Sequence, residues 1–166
     1  MRKAYAKYFA VMFLVSAGMC TCFQNALPQS SRAAERNGKG LEYYNEAFYR
    51  QLPQGQNRAA EKYFEMAAEE FKQAIALNPK YAEAHRNLAR LHYVRKQYLE
   101  AADAYRTVIS LNPEDLDSYV QLALIYTHLE RYPEAIRQLE SARLRTTDRE
   151  VLSKLDGYIQ KIREHE

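Results

Sequence analysis

Cysteine is nearly missing from this 166-residue chain: Cys20 and Cys22 are the only two, and both fall inside one apolar run near the start. If that run is removed no thiol remains, and disulfides, zinc-thiolate sites and cysteine nucleophiles go with it. Glycine and proline are scarce too, at five each. No glycine-rich phosphate loop, no HExxH and no GxSxG occurs, so the usual sequence signs of nucleotide, zinc-protease and serine-hydrolase chemistry are lacking. Acidic residues are absent from residues 1–33, which carry Arg2, Lys3, Lys7 and Arg32. The formal net charge of +3 therefore resides there: the remainder has 24 − 4 = 20 basic and 21 acidic side chains, a net of −1. That balance offers no basic domain or stripe of the kind a nucleic-acid surface needs.

Long hydrophobic runs are lacking as well. Tyr8–Phe23 is 16 residues without a charge; as a helix it spans ~24 Å, short of the ~30 Å hydrocarbon core of a bilayer. Basic residues, a short apolar run and small residues in that order read as an export signal over 1–33, with cleavage after Ala26 or after Ala33. The other reading is a short membrane anchor through residues 8–23 that stays in place, since flanking aromatics and mismatch can rescue a short span. Bacterial lipoprotein signals have a similar layout and would acylate Cys20 or Cys22, but Met19 and Thr21 stand where a small residue is normal. Residues 34–40 close a stretch without sustained apolar periodicity, ending Asn37-Gly38-Lys39-Gly40, and read as a flexible linker.

What the chain does have is a period. Shifting Ala82–Asp115 by 34 residues superimposes like on like in both directions. Tyr98, Ala101, Tyr105, Leu111, Asn112 and Pro113 fall on Phe64, Ala67, Phe71, Leu77, Asn78 and Pro79. His85, Leu88, Ala89, Tyr98, Ala101 and Tyr105 fall on Tyr119, Leu122, Ala123, Tyr132, Ala135 and Leu139. Small residues at Ala67, Ala101 and Ala135 suit a crossing of two helices whose axes lie only ~8–10 Å apart. Phe71, Tyr105 and Leu139 then fill the space one turn later. Asn78-Pro79 and Asn112-Pro113 read as the turn between hairpins, with Asn as a cap and Pro at a first helical position.

This spacing resembles the tetratricopeptide repeat family. The middle repeat offers His85, Leu88-Ala89, His92, Ala101, Tyr105, Val108 and Pro113; the third offers Tyr119, Leu122-Ala123, Tyr126, Ala135, Leu139 and Ala142. His85 and His92 replace the family's usual aromatics, and Thr147 stands where Pro is expected. The resemblance implies an all-α solenoid of three helical hairpins, over 41–79, 80–113 and 114–147, followed by a capping helix over 148–166: seven helices in all. Thr147 and Glu150 have the spacing of a capping box for that last helix, whose apolar stripe is Val151, Leu152, Leu155, Tyr158, Ile159 and Ile162. The first hairpin carries about ten extra residues around 52–63, with Asn57 onward expected to lengthen its second helix.

The resemblance also implies function. In the family the first helix of each pair lines a concave surface that holds peptides or partner helices. The positions expected there are Tyr43, Glu46, Tyr49 and Arg50 from the first repeat, Arg86, Asn87, Arg90 and Tyr93 from the second, and Val120, Gln121, Leu124, Thr127 and His128 from the third. Arg86, Asn87 and Arg90 fall within one turn, and two readings stand: pairing of Arg86 and Arg90 with Glu83, Glu46 or other neighbouring acids, or, as the resemblance implies, convergence on a carboxylate in the way basic and Asn side chains act in some tetratricopeptide domains. His85 and His92 read as packed core histidines rather than metal ligands. The expectation is a non-catalytic scaffold of the cell envelope, exported to the periplasm, without cofactor or metal, that binds a protein or peptide and no nucleic acid. A membrane-anchored structural subunit of a permanent envelope complex is the alternative.

Overall fold

The computed structural model describes residues 28–165. The apolar run, both cysteines and the candidate cleavage point at Ala26 lie outside the described residues. Within them the chain is helical throughout, with no strand. The first helix, α1, covers Gln29–Asn45 and runs on as one π-helical stretch, Glu46–Gln51. Then come α2 (Asn57–Leu77), α3 (Ala82–Val94), α4 (Tyr98–Leu111), α5 (Leu116–His128), α6 (Tyr132–Arg143) and α7 (Arg149–Arg163). Helices α1/α2, α3/α4 and α5/α6 pack as hairpins, α2 and α4 dock onto the hairpin that follows, and α7 closes the far side of α6. This is the expected α-solenoid of three hairpins and a cap.

The packing follows from the repeated residue sizes. Ala67, Ala101 and Ala135 are all fully buried at the crossings, and Phe71, Tyr105 and Leu139 are buried beside them. Burying each of those three large side chains is worth roughly 1.5–3 kcal/mol. The core falls into two linked parts. One, around Tyr44, Phe64, Phe71 and Leu91, belongs to the first hairpin and its seam with α3. The other, around Tyr105, Tyr119, Leu122, Ile125, Leu139, Leu155 and Ile159, joins the later hairpins to the cap.

The turns within the hairpins are tight. Lys96 and Glu130, 34 residues apart, both sit in the left-handed region at φ 59° and 57°. Each follows a helix that ends in a Schellman-type pattern: Gln97 N–H donates to the His92 carbonyl at 2.9 Å and Arg131 N–H to the Tyr126 carbonyl at 2.8 Å. Between hairpins, Tyr81 N–H donates to the Asn78 carbonyl at 3.0 Å, and Asp115 N–H to that of Asn112 at 3.2 Å. Pro79 and Pro113 lie inside these turns and not at a first helical position, so their role is to stop the preceding helix.

The start of the array differs from the sequence expectation. Residues 34–40 are not a linker: they lie within α1, with Ala33, Asn37 and Gly40 buried. Gly40 shows why. A Cβ built there would stand 2.5 Å from Phe71 Cε1, so the helix passes against that ring at a distance only glycine permits. Gly40 thus takes beside Phe71 the part that Ala89 and Ala123 take in the core with Tyr105 and Leu139. The shift from Gly40 to Ala89 is 49, which is 15 more than the repeat of 34. The insertion is therefore fifteen residues and not about ten, and Asn45 corresponds to Val94, the last residue of α3. The π-helical stretch begins at the next residue, consistent with the way a helix absorbs extra residues without losing its hydrogen bonds.

At the other end, Asp148 and not Thr147 caps α7, its carboxylate accepting from Glu150 N–H at 2.8 Å and Val151 N–H at 3.1 Å. Asp148 places a full negative charge on the helix N-terminus, which a threonine cannot do.

Candidate functional site: the concave groove

The first helices of the three hairpins, α1, α3 and α5, share the inner surface. Tyr44 of α1, Arg90, Tyr93 and Val94 of α3, Tyr105 of α4, and Asp117 and Gln121 of α5 line one cavity of about 400 Å³. Tyr44, Tyr105 and Asp117 are not among the positions expected on this surface from the sequence. Tyr44 and Tyr105 do both: each ring packs in the core while lining the cavity. The 49-residue shift that sets Tyr44 on Tyr93 emerges only once Gly40 is seen against Phe71.

The phenols in this chamber are neutral. Burial pushes the Tyr105 hydroxyl well above the ordinary tyrosine value, with Asp117 adding to the push while Arg90 and Arg86 oppose it. Burial also raises Tyr44, partly offset by Arg90, and Tyr93, with Tyr98 adding to the rise. All three are held as hydrogen-bonding groups rather than bases. Arg90 has no hydrogen-bond or ion-pair partner among the described residues and is exposed.

Of the two readings for Arg86, Asn87 and Arg90, the structure follows pairing for Arg86 and brings no convergence of the three. Arg86 Nη2 donates to Asp115 Oδ2 at 2.6 Å, and Ser118 Oγ donates to the same oxygen at 2.5 Å, so this arginine ties α3 to the start of α5. The Arg86 Nε is buried without a partner among the described residues. Asn87 is buried and donates through Nδ2 to Asn37 Oδ1 at 2.9 Å, a polar link between α1 and α3. Of the three, only Arg90 lines this cavity.

The first-repeat residues are displaced by the same register shift. Tyr43 packs on Tyr63 of α2 within its own hairpin, ring centroids 6.4 Å apart. Glu46 accepts from Arg50 at 3.0 Å and from Gln51 at 2.8 Å. Tyr49 is 65% exposed, edge-on to Phe48, and close enough to Tyr44 to raise its hydroxyl. Val120, Gln121, Leu124 and Thr127 all line a second cavity, with Tyr158, Lys161 and Ile162 of α7 opposite. His128 lies flat on Tyr98 at 4.9 Å, and its Nε2 is 2.9 Å from the Tyr93 hydroxyl.

His85 and His92 are half-buried and hydrogen-bonded rather than packed in the core. His85 Nε2 is 3.0 Å from the Pro79 carbonyl, and His92 Nδ1 is 2.7 Å from Gln97 Oε1. Each fixes a turn. Among the described residues no group of three His, Cys, Asp or Glu side chains is placed to hold a metal ion.

A stack of helical hairpins whose first helices line one cavity is the architecture of a helical-repeat protein. Two family models described as tetratricopeptide repeat match residues 45–115 and 95–155, so together they span most of the chain. The chain belongs to the tetratricopeptide repeat family. No curated protein sequence matches it. Among solved structures it is similar to the Arabidopsis OM64 TPR domain, with TM-score 0.63 and 16% identity over 83% of this chain and 99% of that one. It is likewise similar to the TPR2B domain of yeast Sti1 in its complex with pHsp70, with TM-score 0.64 and 17% identity over 82% and 99%. A third similar structure is the type III secretion translocator chaperone SycD of Yersinia enterocolitica, with TM-score 0.58 and 16% identity over 75% and 83%. At these identities the likeness is one of fold.

Proposed function

We propose that this chain is a non-catalytic interaction module that holds a segment of another protein in its concave groove. The observation that carries the reading is the chamber between α1, α3 and α5. An exposed, unpaired Arg90 stands there beside neutral phenols, a carboxylate and an amide, an arrangement that can orient a polypeptide but contains no activated nucleophile. Supporting it, the similar domain of yeast Sti1 was solved with pHsp70. The partner is a protein or peptide.

The setting we propose is the cell envelope, reached through the segment 1–33. Ala33 is fully buried in α1, so cleavage after Ala26 leaves that helix whole whereas cleavage after Ala33 removes its first turn. N-terminal sequencing of protein from its native host is therefore expected to start at Leu27. An intact Met1 in the membrane fraction would replace this reading with the anchored structural subunit.

A photo-crosslinking residue placed at Tyr93 in intact cells is expected to trap a partner, and one placed at the exposed Lys72 on α2 is not. Equal trapping from both positions, or trapping from Lys72 alone, would overturn groove binding.

A further inference from the structure

Toward the cap the groove changes character. The cavity between α5 and α7 has a volume of about 410 Å³ and is walled almost wholly by carbon, from Val120, Leu124, Leu139, Tyr158 and Ile162. Lys161 is the one charged residue that lines it. Leu124 is 41% exposed and Tyr158 45%, so two large apolar side chains stand in water on a helix pair that otherwise buries Leu155, Ile159 and Ile162. Gln121 lines this cavity and the chamber around Arg90, which makes the two adjoining compartments of one groove. Each compartment holds one cation without an ion-pair partner among the described residues, Lys161 in one and Arg90 in the other. The single acid, Asp117, lies on the Arg90 side, where Gln121 donates to it at 3.5 Å.

We propose that the α5–α7 compartment receives one large apolar side chain of a linear peptide segment that carries an acidic residue close beside it. This deepens the groove-binding reading and rests on it. A space of this size accepts a leucine, methionine or phenylalanine side chain together with its backbone. Lys161 lines the cavity and is exposed, so its stem can cover apolar wall while its ammonium group stays in water. An acid next to the anchor meets Lys161, the one charged residue of this compartment, whereas a basic residue there is repelled by it. The capping helix therefore does more than shield the last repeat: its Tyr158, Lys161 and Ile162 make half of a recognition site.

The test uses the full chain immobilised against a random library of short displayed peptides, followed by titration of the enriched sequences. The expected peptides share a large apolar residue with Asp or Glu within a few positions. Their affinity is expected to fall about tenfold or more for Leu124→Glu. It is expected to fall about three- to tenfold for Lys161→Glu, and not at all for Lys161→Glu when the peptide's acid is replaced by its amide. Both positions are exposed, and unchanged thermal melts establish that the variants fold. Enriched peptides that bind Leu124→Glu like the wild type but fail on Arg90→Glu would overturn the apolar anchor and leave groove binding standing. Peptides insensitive to all three variants, or no enrichment, would overturn the anchor, and absence of Tyr93 cross-links would then remove groove binding with it. A concentration-dependent dimer that Leu124→Glu abolishes would make a second copy of this chain the occupant and overturn the peptide.

Discussion

Replacing Gly40 by alanine should destabilise the protein although the same change at Gly38, two residues away on the same helix, should stabilise it. Helical glycine costs roughly 0.5–1 kcal/mol relative to alanine, chiefly through the freedom it has in the unfolded chain. Gly38 and Gly157 have nothing within 4 Å of an added Cβ, so each should show that gain in full. At Gly40 the new methyl would stand 2.5, 2.6 and 3.1 Å from three carbons of the Phe71 ring. Phe71 is fully buried, so the ring has nowhere to swing and either α1 or the ring must shift. Overpacking of that kind costs roughly 1–3 kcal/mol. Set against the propensity gain, Gly40→Ala should lie about 1–3 kcal/mol below Gly38→Ala in a urea melt followed by helical circular dichroism. Phe71→Leu should relieve the clash, so the double change should lose less than the sum of the singles. If Gly40→Ala stabilises as Gly38→Ala does, α1 is a helix not docked on α2, and if neither change moves the midpoint the reading of 34–40 as a linker would be right after all.

Three further predictions address the groove and its supports. Asn87→Ala should cost roughly 1–3 kcal/mol by leaving the buried Asn37 carbonyl oxygen unpaired, and Asn37→Ala should then add little; strictly additive losses in urea melts would mean the pair is not formed. Lys96→Gly should stabilise by about 1 kcal/mol because its φ of 59° suits glycine, with no change in peptide binding; a loss of stability would count against the left-handed turn. Tyr105 has a folded-state value raised above the unfolded one, so its contribution is fully present below the ordinary tyrosine value near 10 and is lost as pH rises beyond it. Tyr105→Phe, which keeps the ring, should therefore weaken the alkaline fall in stability, and an unaltered alkaline limb in melts across that range would refute the burial argument.

The repeats were legible because their signal is one of size at fixed spacing. Ala101 against Tyr105, and Ala135 against Leu139, read the same in sequence and in space. The first hairpin was not, and for a physical reason: its crossing uses Gly40 where the others use alanine. Glycine beside Asn37 and Lys39 looks like loop chemistry until the Phe71 ring facing it is known. The partners of Arg86 and Asn87 were hidden for a different reason. Their spacing on α3 was clear, but their partners, Asp115 and Asn37, lie 29 and 50 residues away and only the stacking of hairpins brings them near. The apolar α5–α7 compartment was half visible, in Leu124 on one helix and Tyr158 on another, with nothing in either stretch to say that they face the same space.

The fifteen inserted residues have one more consequence. Helix α2 has 21 residues where α4 has 14, so seven extra residues carry the first hairpin about 10 Å past the turns at Lys96 and Glu130. At the tip of this overhang sits Gly55, at φ 71° with open space around it. Backbone that protrudes from every neighbour can be cut, lengthened or loaded without disturbing what lies behind it. The tip is thus a natural attachment point on this molecule: a fluorophore or affinity tag grafted there would ride clear of the Arg90 chamber and of the cap.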